Sequence, residues 1–176
     1  PRVKSISSSG HKFGLAPLGV GWVLFRDNSE LPDELVFHVT YLGGDMPTFQ
    51  INFSRPAGQI IAQYAGFLRL GRDGYAAAHG SAYRTAQHLA DQLPEVGPFE
   101  LIYDGDPATG IPAVTWQLAA DAKVTWTLYE LADRLRTRGW QVPAYPLTGD
   151  LDSQVVQRAL IRVEITTDEI NSLIAD

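Results

Sequence analysis

Lys12 sits in the segment Ser7-Ser8-Ser9-Gly10-His11-Lys12-Phe13-Gly14, among small residues, beside a histidine and directly after a stretch that alternates like a strand. Small neighbours let a ligand come close to the backbone. The chemistry that wants such a lysine is a Schiff base: an amine attacks an aldehyde only when deprotonated, a state favoured by burial or a neighbouring positive charge, and an adjacent imidazole can contribute. Pyridoxal phosphate is the obvious aldehyde, because serine hydroxyls and glycine N–H groups nearby can bind its phosphate. Taken alone, an ordinary surface lysine carries the same signature.

The other candidate groups are sparser. His38, His79 and His88 sit in no pair with metal-ligand spacing, so no metal site is assigned. Asp104 and Asp106 flank Gly105 and read as turn residues. Arg158, in Val155-Val156-Gln157-Arg158, falls in an expected strand, where an edge position in a surface ion pair is the plain reading. With 14 basic against 20 acidic residues, a net charge of −6, the chain is a poor binder of phosphate backbones or anionic membranes, so nucleic acid is not an expected partner. There is no cysteine, which excludes disulfide frameworks and Cys-rich zinc sites. No apolar run approaches the ~20 residues of a membrane span. The start, Pro1-Arg2-Val3-Lys4, is not a secretory signal, and the chain is read as soluble and cytosolic.

The elements that must position Lys12 follow from hydrophobic periodicity in these 176 residues. The chain opens without methionine in an alternating stretch from Val3 to Ser8, as expected of a strand cut from something longer or of a trimmed terminus. Gly19 to Arg26 is β-branched and aromatic and reads as a buried strand. Residues 27 to 56 are rich in Gly, Pro, Asp and Asn, with short apolar runs at Leu35–Val39 and Phe49–Phe53, which predicts hairpins and loops. From Pro56 the period changes: Ala57, Ile60, Ile61, Tyr64, Ala65 and Leu68 predict an amphipathic helix, interrupted at Gly71 and Gly74. A second stripe, Tyr75, Ala78, Ala82, Ala86, Leu89, Ala90 and Leu93, predicts a helix that stops at Pro94 and Gly97, the expected hinge. Strands at Phe99–Tyr103 and Pro112–Leu118, a helix through Leu128, Leu131 and Leu135, a strand at Val155–Ile161 and a last helix capped by Thr166 and Glu169 complete an α+β unit.

Longer blocks carry a family resemblance. Ser9-Gly10-His11-Lys12-Phe13-Gly14-Leu15-Ala16-Pro17-Leu18-Gly19, Tyr41-Leu42-Gly43-Gly44 and Asn52-Phe53-Ser54-Arg55-Pro56-Ala57-Gly58-Gln59 closely resemble the glutamate decarboxylases, members of the group II pyridoxal-phosphate-dependent decarboxylases. Gly71-Arg72-Asp73-Gly74-Tyr75, Gly110-Ile111-Pro112-Ala113-Val114 and Leu135-Arg136-Thr137-Arg138-Gly139-Trp140-Gln141-Val142-Pro143-Ala144 are similar to the same family, so the resemblance covers essentially the whole chain. The His-Lys pair is shared by many group II decarboxylases, whereas the Tyr-Leu-Gly-Gly and Asn-Phe-Ser-Arg-Pro blocks point to the glutamate branch.

The resemblance implies an α/β fold: the C-terminal part of a fold type I pyridoxal-phosphate-dependent enzyme, with residues 1–82 ending the large cofactor domain and 83–176 forming the small domain. It implies that Lys12 carries the cofactor as a Schiff base, that His11 lies against the cofactor or the substrate carboxylate, and that Ser9 lies near the phosphate. It places Phe53 and Ser54 at the neighbouring subunit's active site, hence a homo-oligomer, with the Tyr41–Gly44 loop close to the same interface. It assigns Arg158 to a substrate carboxylate, a task suited to a planar bidentate guanidinium. The implied reaction is decarboxylation of L-glutamate to 4-aminobutyrate, with reprotonation of the carbon that loses CO₂.

In that family the acid facing the pyridinium nitrogen, the ring-stacking residue and most phosphate ligands precede the lysine, where this chain has eleven residues. The expectation is therefore a C-terminal fragment, catalytically inactive alone and prone to self-association. Two other readings stand beside it: a dimerisation or scaffold module with an idle lysine, and a decarboxylase of another amino acid, such as an aromatic one.

Overall fold

The computed structural model describes residues 2–41, 43–49, 51 and 54–176. The chain forms two compact units, Pro1–Gly74 and Tyr75–Asp176.

In the first unit, Ser5–Ser9 (β1) and Gly21–Phe25 (β2) make an antiparallel ribbon in which Ser5 faces Phe25 and Ser9 faces Gly21. β2 is a strand, as its β-branched and aromatic residues require, but the expectation that it is buried fails: Trp22, Val23 and Leu24 are all exposed. A two-stranded ribbon cannot cover both of its faces. Trp22 packs on Phe67 of the following helix with ring centroids 5.8 Å apart, while Val23 points to the other face. Two short 3-10 turns, Asn28–Glu30 and Asp33–Leu35, lead to a second hairpin, Phe37–Val39 (β3) against Met46–Thr48 (β4). His38 Nδ1 lies 2.8 Å from Asp45 Oδ1 on that hairpin.

The helix Gly58–Val96 (α1) is broken at Gly71, whose φ of 57° and ψ of −167° are open to glycine and costly for any residue with a Cβ. Gly74 remains helical. The helix also continues past Pro94, which stands within its last turn and forfeits one bond to a carbonyl near the helix end. The stripe expected to pack points outward in the first half of α1: Ile61 and Leu68 are 65% and 70% exposed, whereas Gln63 is 1% exposed.

In the second unit the remainder of α1 lays Ala82, Ala86, Leu89, Ala90 and Leu93 onto a four-stranded antiparallel sheet, ordered Phe99–Tyr103 (β5), Ala113–Leu118 (β6), Val155–Leu160 (β8) and Ala144–Pro146 (β7). The alanines let helix and sheet approach closely, and Val114, Trp116, Ala159 and Ile161 fill the core from the strand side. β7 was not expected from the sequence; three residues are too few to show a period. The helices Leu128–Thr137 (α2) and Thr167–Ala175 (α3) close the core through Leu128, Leu135 and Ile170. Both begin with reciprocal caps: Thr127 with Glu130, and Thr166 with Glu169. The Pro94–Gly97 break turns α1 into β5 inside this unit, while the division of the chain falls at Gly74.

Candidate active site

The β1–β2 ribbon presents Lys12 at the end of a closed loop. Ser9 is the last residue of β1, and Gly10 N–H donates to Val20 O at 2.9 Å, carrying the ladder one step beyond the strands. The chain then folds back on itself: Leu15 N–H donates to Lys12 O at 3.1 Å and Ala16 N–H to Gly10 O at 3.0 Å. Leu15 takes a left-handed φ of 54°, a strained setting for a residue with a Cβ. The N–H of Gly10 is thus committed to Val20 O.

Both loop glycines sit where a side chain would not fit. A Cβ on Gly10 would come within 2.6 Å of Val20 Cγ1 and 2.8 Å of Gln63 Oε1, and one on Gly14 would collide with Gln63 Oε1 and Gly10 O. Gln63 reaches from α1 across the floor of the loop, donating from Nε2 to Gly14 O at 2.6 Å and accepting a long 3.4 Å contact from Trp22 Nε1. It is the one buried polar side chain among the described residues of this unit. Sequence reading missed Gln63 because the apolar period selected the opposite helix face. The available signal was the pair Gln59 and Gln63, one turn apart and turned towards the loop.

Lys12 and His11 are exposed at the loop's turn, with Ser9 half-buried behind them. Lys4 of β1's approach is paired with Glu30 at 2.7 Å, whereas the side-chain amine of Lys12 makes no ion pair or hydrogen bond with any described residue. An uncommitted primary amine on a loop closed by its own backbone hydrogen bonds is what a carbonyl cofactor requires, so the residues present fit pyridoxal phosphate.

The structure thus brings Ser9, His11 and Lys12 together on one loop. Ser54 is exposed on the segment leading into α1, at a positive φ of 33°, and hydrogen-bonds to none of the three. Phe53 lies outside the described residues, as does Leu42 of the Tyr41–Gly44 loop. Arg158 belongs to the second unit. It stands on β8 between β6 and β7, so it is not on an edge strand, and it makes no ion pair with a described residue. Its guanidinium carbon lies 5.7 Å from the ring centre of Tyr145. Gln157 and Ala159, on either side of it, are buried, whereas Arg158 is exposed on the alternate face. Asp104 and Asp106 are turn residues, their carboxylates accepting from Asp106 N and Ala108 N at 3.0 and 2.9 Å. Among the described residues no cluster of metal-ligating side chains occurs.

Comparison with known proteins places this geometry. The chain is 51% identical over 176 residues to the glutamate decarboxylase of Aliivibrio fischeri, covering 100% of this chain and 38% of that protein. It is 49% identical over 174 residues to glutamate decarboxylase beta of Listeria monocytogenes, of which it covers 37%. The chain therefore spans well under half the length of these relatives. The solved glutamate decarboxylase of Lactobacillus brevis superposes with a TM-score of 0.90 at 46% identity, over 98% of this chain and 38% of that one. A sphingosine-1-phosphate lyase from Burkholderia pseudomallei shares the fold, with a TM-score of 0.72 at 24% identity. The fold is the α/β fold of type I pyridoxal-phosphate-dependent enzymes, of which this chain is a part. Residues 1–119 match the pyridoxal-dependent decarboxylase conserved domain, and the chain belongs to that family.

Proposed function

We propose that this chain is the lysine-bearing portion of a glutamate decarboxylase that converts L-glutamate to 4-aminobutyrate and CO₂ with pyridoxal phosphate on Lys12. The observation that carries the reading is the uncommitted Lys12 amine on a loop closed by its own backbone and floored by Gln63, in a chain half identical to glutamate decarboxylases. The cofactor, when bound, supplies the electron sink that lets a carboxylate depart as CO₂. Lys12 holds the cofactor, His11 flanks it, and Ser9 stands behind them on the same loop. Phe53 and Ser54 serve the neighbouring subunit's site in a homo-oligomer. Arg158 holds a substrate carboxylate, its guanidinium oriented by Tyr145.

In domain terms, residues 1–82 end the large cofactor domain and 83–176 form the small domain. No helix among the described residues is long and apolar enough to cross a membrane, and the proposed location is the cytoplasm.

The test is 4-aminobutyrate formation from L-glutamate by the full-length protein that carries this chain, with Lys12→Ala as control. Turnover lost in Lys12→Ala supports the reading, and a wild-type protein that leaves glutamate untouched overturns it. The 176-residue chain alone is expected to show no decarboxylation above that control. Borohydride reduction after incubation with pyridoxal phosphate separates a working site from an idle scaffold: selective labelling of Lys12 marks the former, random labelling of lysines the latter.

A further inference from the structure

We propose that Gln63 is a positioning residue for Lys12: its side-chain amide clamps the floor of the Gly10–Gly14 loop and so fixes where the lysine amine stands. The inference rests on the cofactor reading of Lys12 given above.

The first argument is cost. Gln63 is 1% exposed on the part of α1 before the Gly71 break, where the apolar residues Ile60, Ile61, Tyr64 and Leu68 face outward, so in that stretch a polar side chain occupies the buried position while better core-formers do not. Burying an amide is unfavourable unless its groups are bonded. Here the donor is used on Gly14 O at 2.6 Å, and the acceptor receives Trp22 Nε1 at 3.4 Å.

The second argument is fit. Neither Gly10 nor Gly14 has room for a Cβ while Gln63 occupies its place, so loop and glutamine are shaped to one another. The third is location. Gly14 O, which accepts from Gln63 Nε2, lies two residues from Lys12. The Lys12 and Gly10 carbonyls are closed by Leu15 and Ala16 N–H groups. Without the amide, the far limb of the loop keeps its backbone bonds but loses its anchor to the helix. The amine then samples more positions, and bond formation to a carbonyl falls with the loss of orientation.

The experiment uses the full-length protein and pyridoxal phosphate itself, trapped by borohydride and located by peptide mass spectrometry. Lys4 and Lys123 are internal references, because they report general surface reactivity. Selectivity is the labelling of Lys12 relative to these two. Gln63→Met keeps the volume and removes both polar groups, and is expected to lower selectivity about tenfold, in line with lost orientation. Gln63→Glu is isosteric. Its ionised carboxylate cannot donate to Gly14 O, whereas the neutral acid can; burial beside that carbonyl favours the neutral form, so its selectivity relative to wild type at the same pH should recover on acidification from about pH 8 to about pH 5. A merely structural role would not produce that recovery. If Gln63→Met fails to fold, the pH profile of Gln63→Glu decides. Unaltered selectivity in folded Gln63→Met, or a flat profile relative to wild type in Gln63→Glu, overturns the proposal. A wild-type protein with no preference for Lys12 overturns the cofactor reading and this inference with it, an outcome distinct from loss in the variants alone.

Discussion

Gly14 shows most directly how a single side chain, or its absence, governs the candidate site. A methyl group there would meet Gln63 Oε1 and the Gly10 carbonyl, one of them backbone that cannot swing aside. Gly14→Ala is therefore expected to cost about 1–3 kcal/mol by overpacking, measured by urea denaturation of the full-length protein, and to reduce Lys12 labelling. An unchanged midpoint would show that the loop yields. Arg158 makes a different kind of claim. Its guanidinium packs against Tyr145 and, in the proposed function, forks onto a carboxylate. Lysine at 158 keeps the charge but loses both planar contacts. Arg158→Lys is expected to raise KM for L-glutamate about tenfold or more with a smaller change in kcat, in the range of one lost bidentate interaction. Equal KM values in steady-state assays would remove Arg158 from the substrate site.

At the scale of elements, the break in α1 and the caps of α2 and α3 are the features that one substitution can test. No atom lies within 4 Å of a Cβ built on Gly71, so any penalty for Gly71→Ala comes from its φ of 57° alone. The expected cost is about 1–3 kcal/mol, read from the denaturation midpoint, and no cost would mean that the helix straightens there freely. Glu169 is held below the usual glutamate range first by the Thr166 backbone N–H, then by the Thr166 hydroxyl. Asp176 is likewise lowered by the hydrogen bonds from Trp140 Nε1 and Arg138. Both carboxylates are depressed in the folded state. Their contribution is thus complete above the unfolded-state pKa and lost as pH falls through the folded value. Thermal melts should show Tm falling with acidification in the window below the ordinary carboxylate range. Glu169→Gln, which cannot ionise, should flatten that slope, and an unaltered slope would exclude the cap as a contributor.

For the molecule as a whole, the informative feature is the apolar surface that the first unit leaves uncovered. Ile60, Ile61, Tyr64 and Leu68 form a stripe on α1, and Trp22, Val23 and Leu24 stand exposed on β2. Large exposed apolar side chains in this number mark an interaction face. The isolated 176-residue chain is expected to self-associate, and Ile61→Glu combined with Leu68→Glu to lower its mean mass by light scattering. A monodisperse monomer before substitution would refute this. The second unit offers a contrast, since its α1 alanines, strand valines and both capped helices bury one another.

Local chemistry was legible in the residues themselves. The β-branched run of β2, the Ala and Leu stripe through Ala82 and Leu93, the glycine break at Gly71 and the cap at Thr166 all stand where short-range preferences put them. Such preferences depend on neighbours within a turn or two, so a linear pattern suffices. The His-Lys pair singles out Lys12 only together with the longer family-like blocks around it, because an ordinary surface lysine among small residues carries the same local signature. What tertiary structure alone decided is which face each element buries. The period of α1 predicted the packed side at Ile60 and Ile61, yet Gln63 is the residue that turns inward, because the loop it meets presents carbonyls that an amide satisfies and an isoleucine cannot. The same holds for β2, which is a strand by propensity but exposed for want of a second covering layer, and for Arg158, whose interior strand and aromatic neighbour come from β7, an element too short to leave a pattern. Propensity acts within a segment, whereas burial is a property of whatever the segment meets.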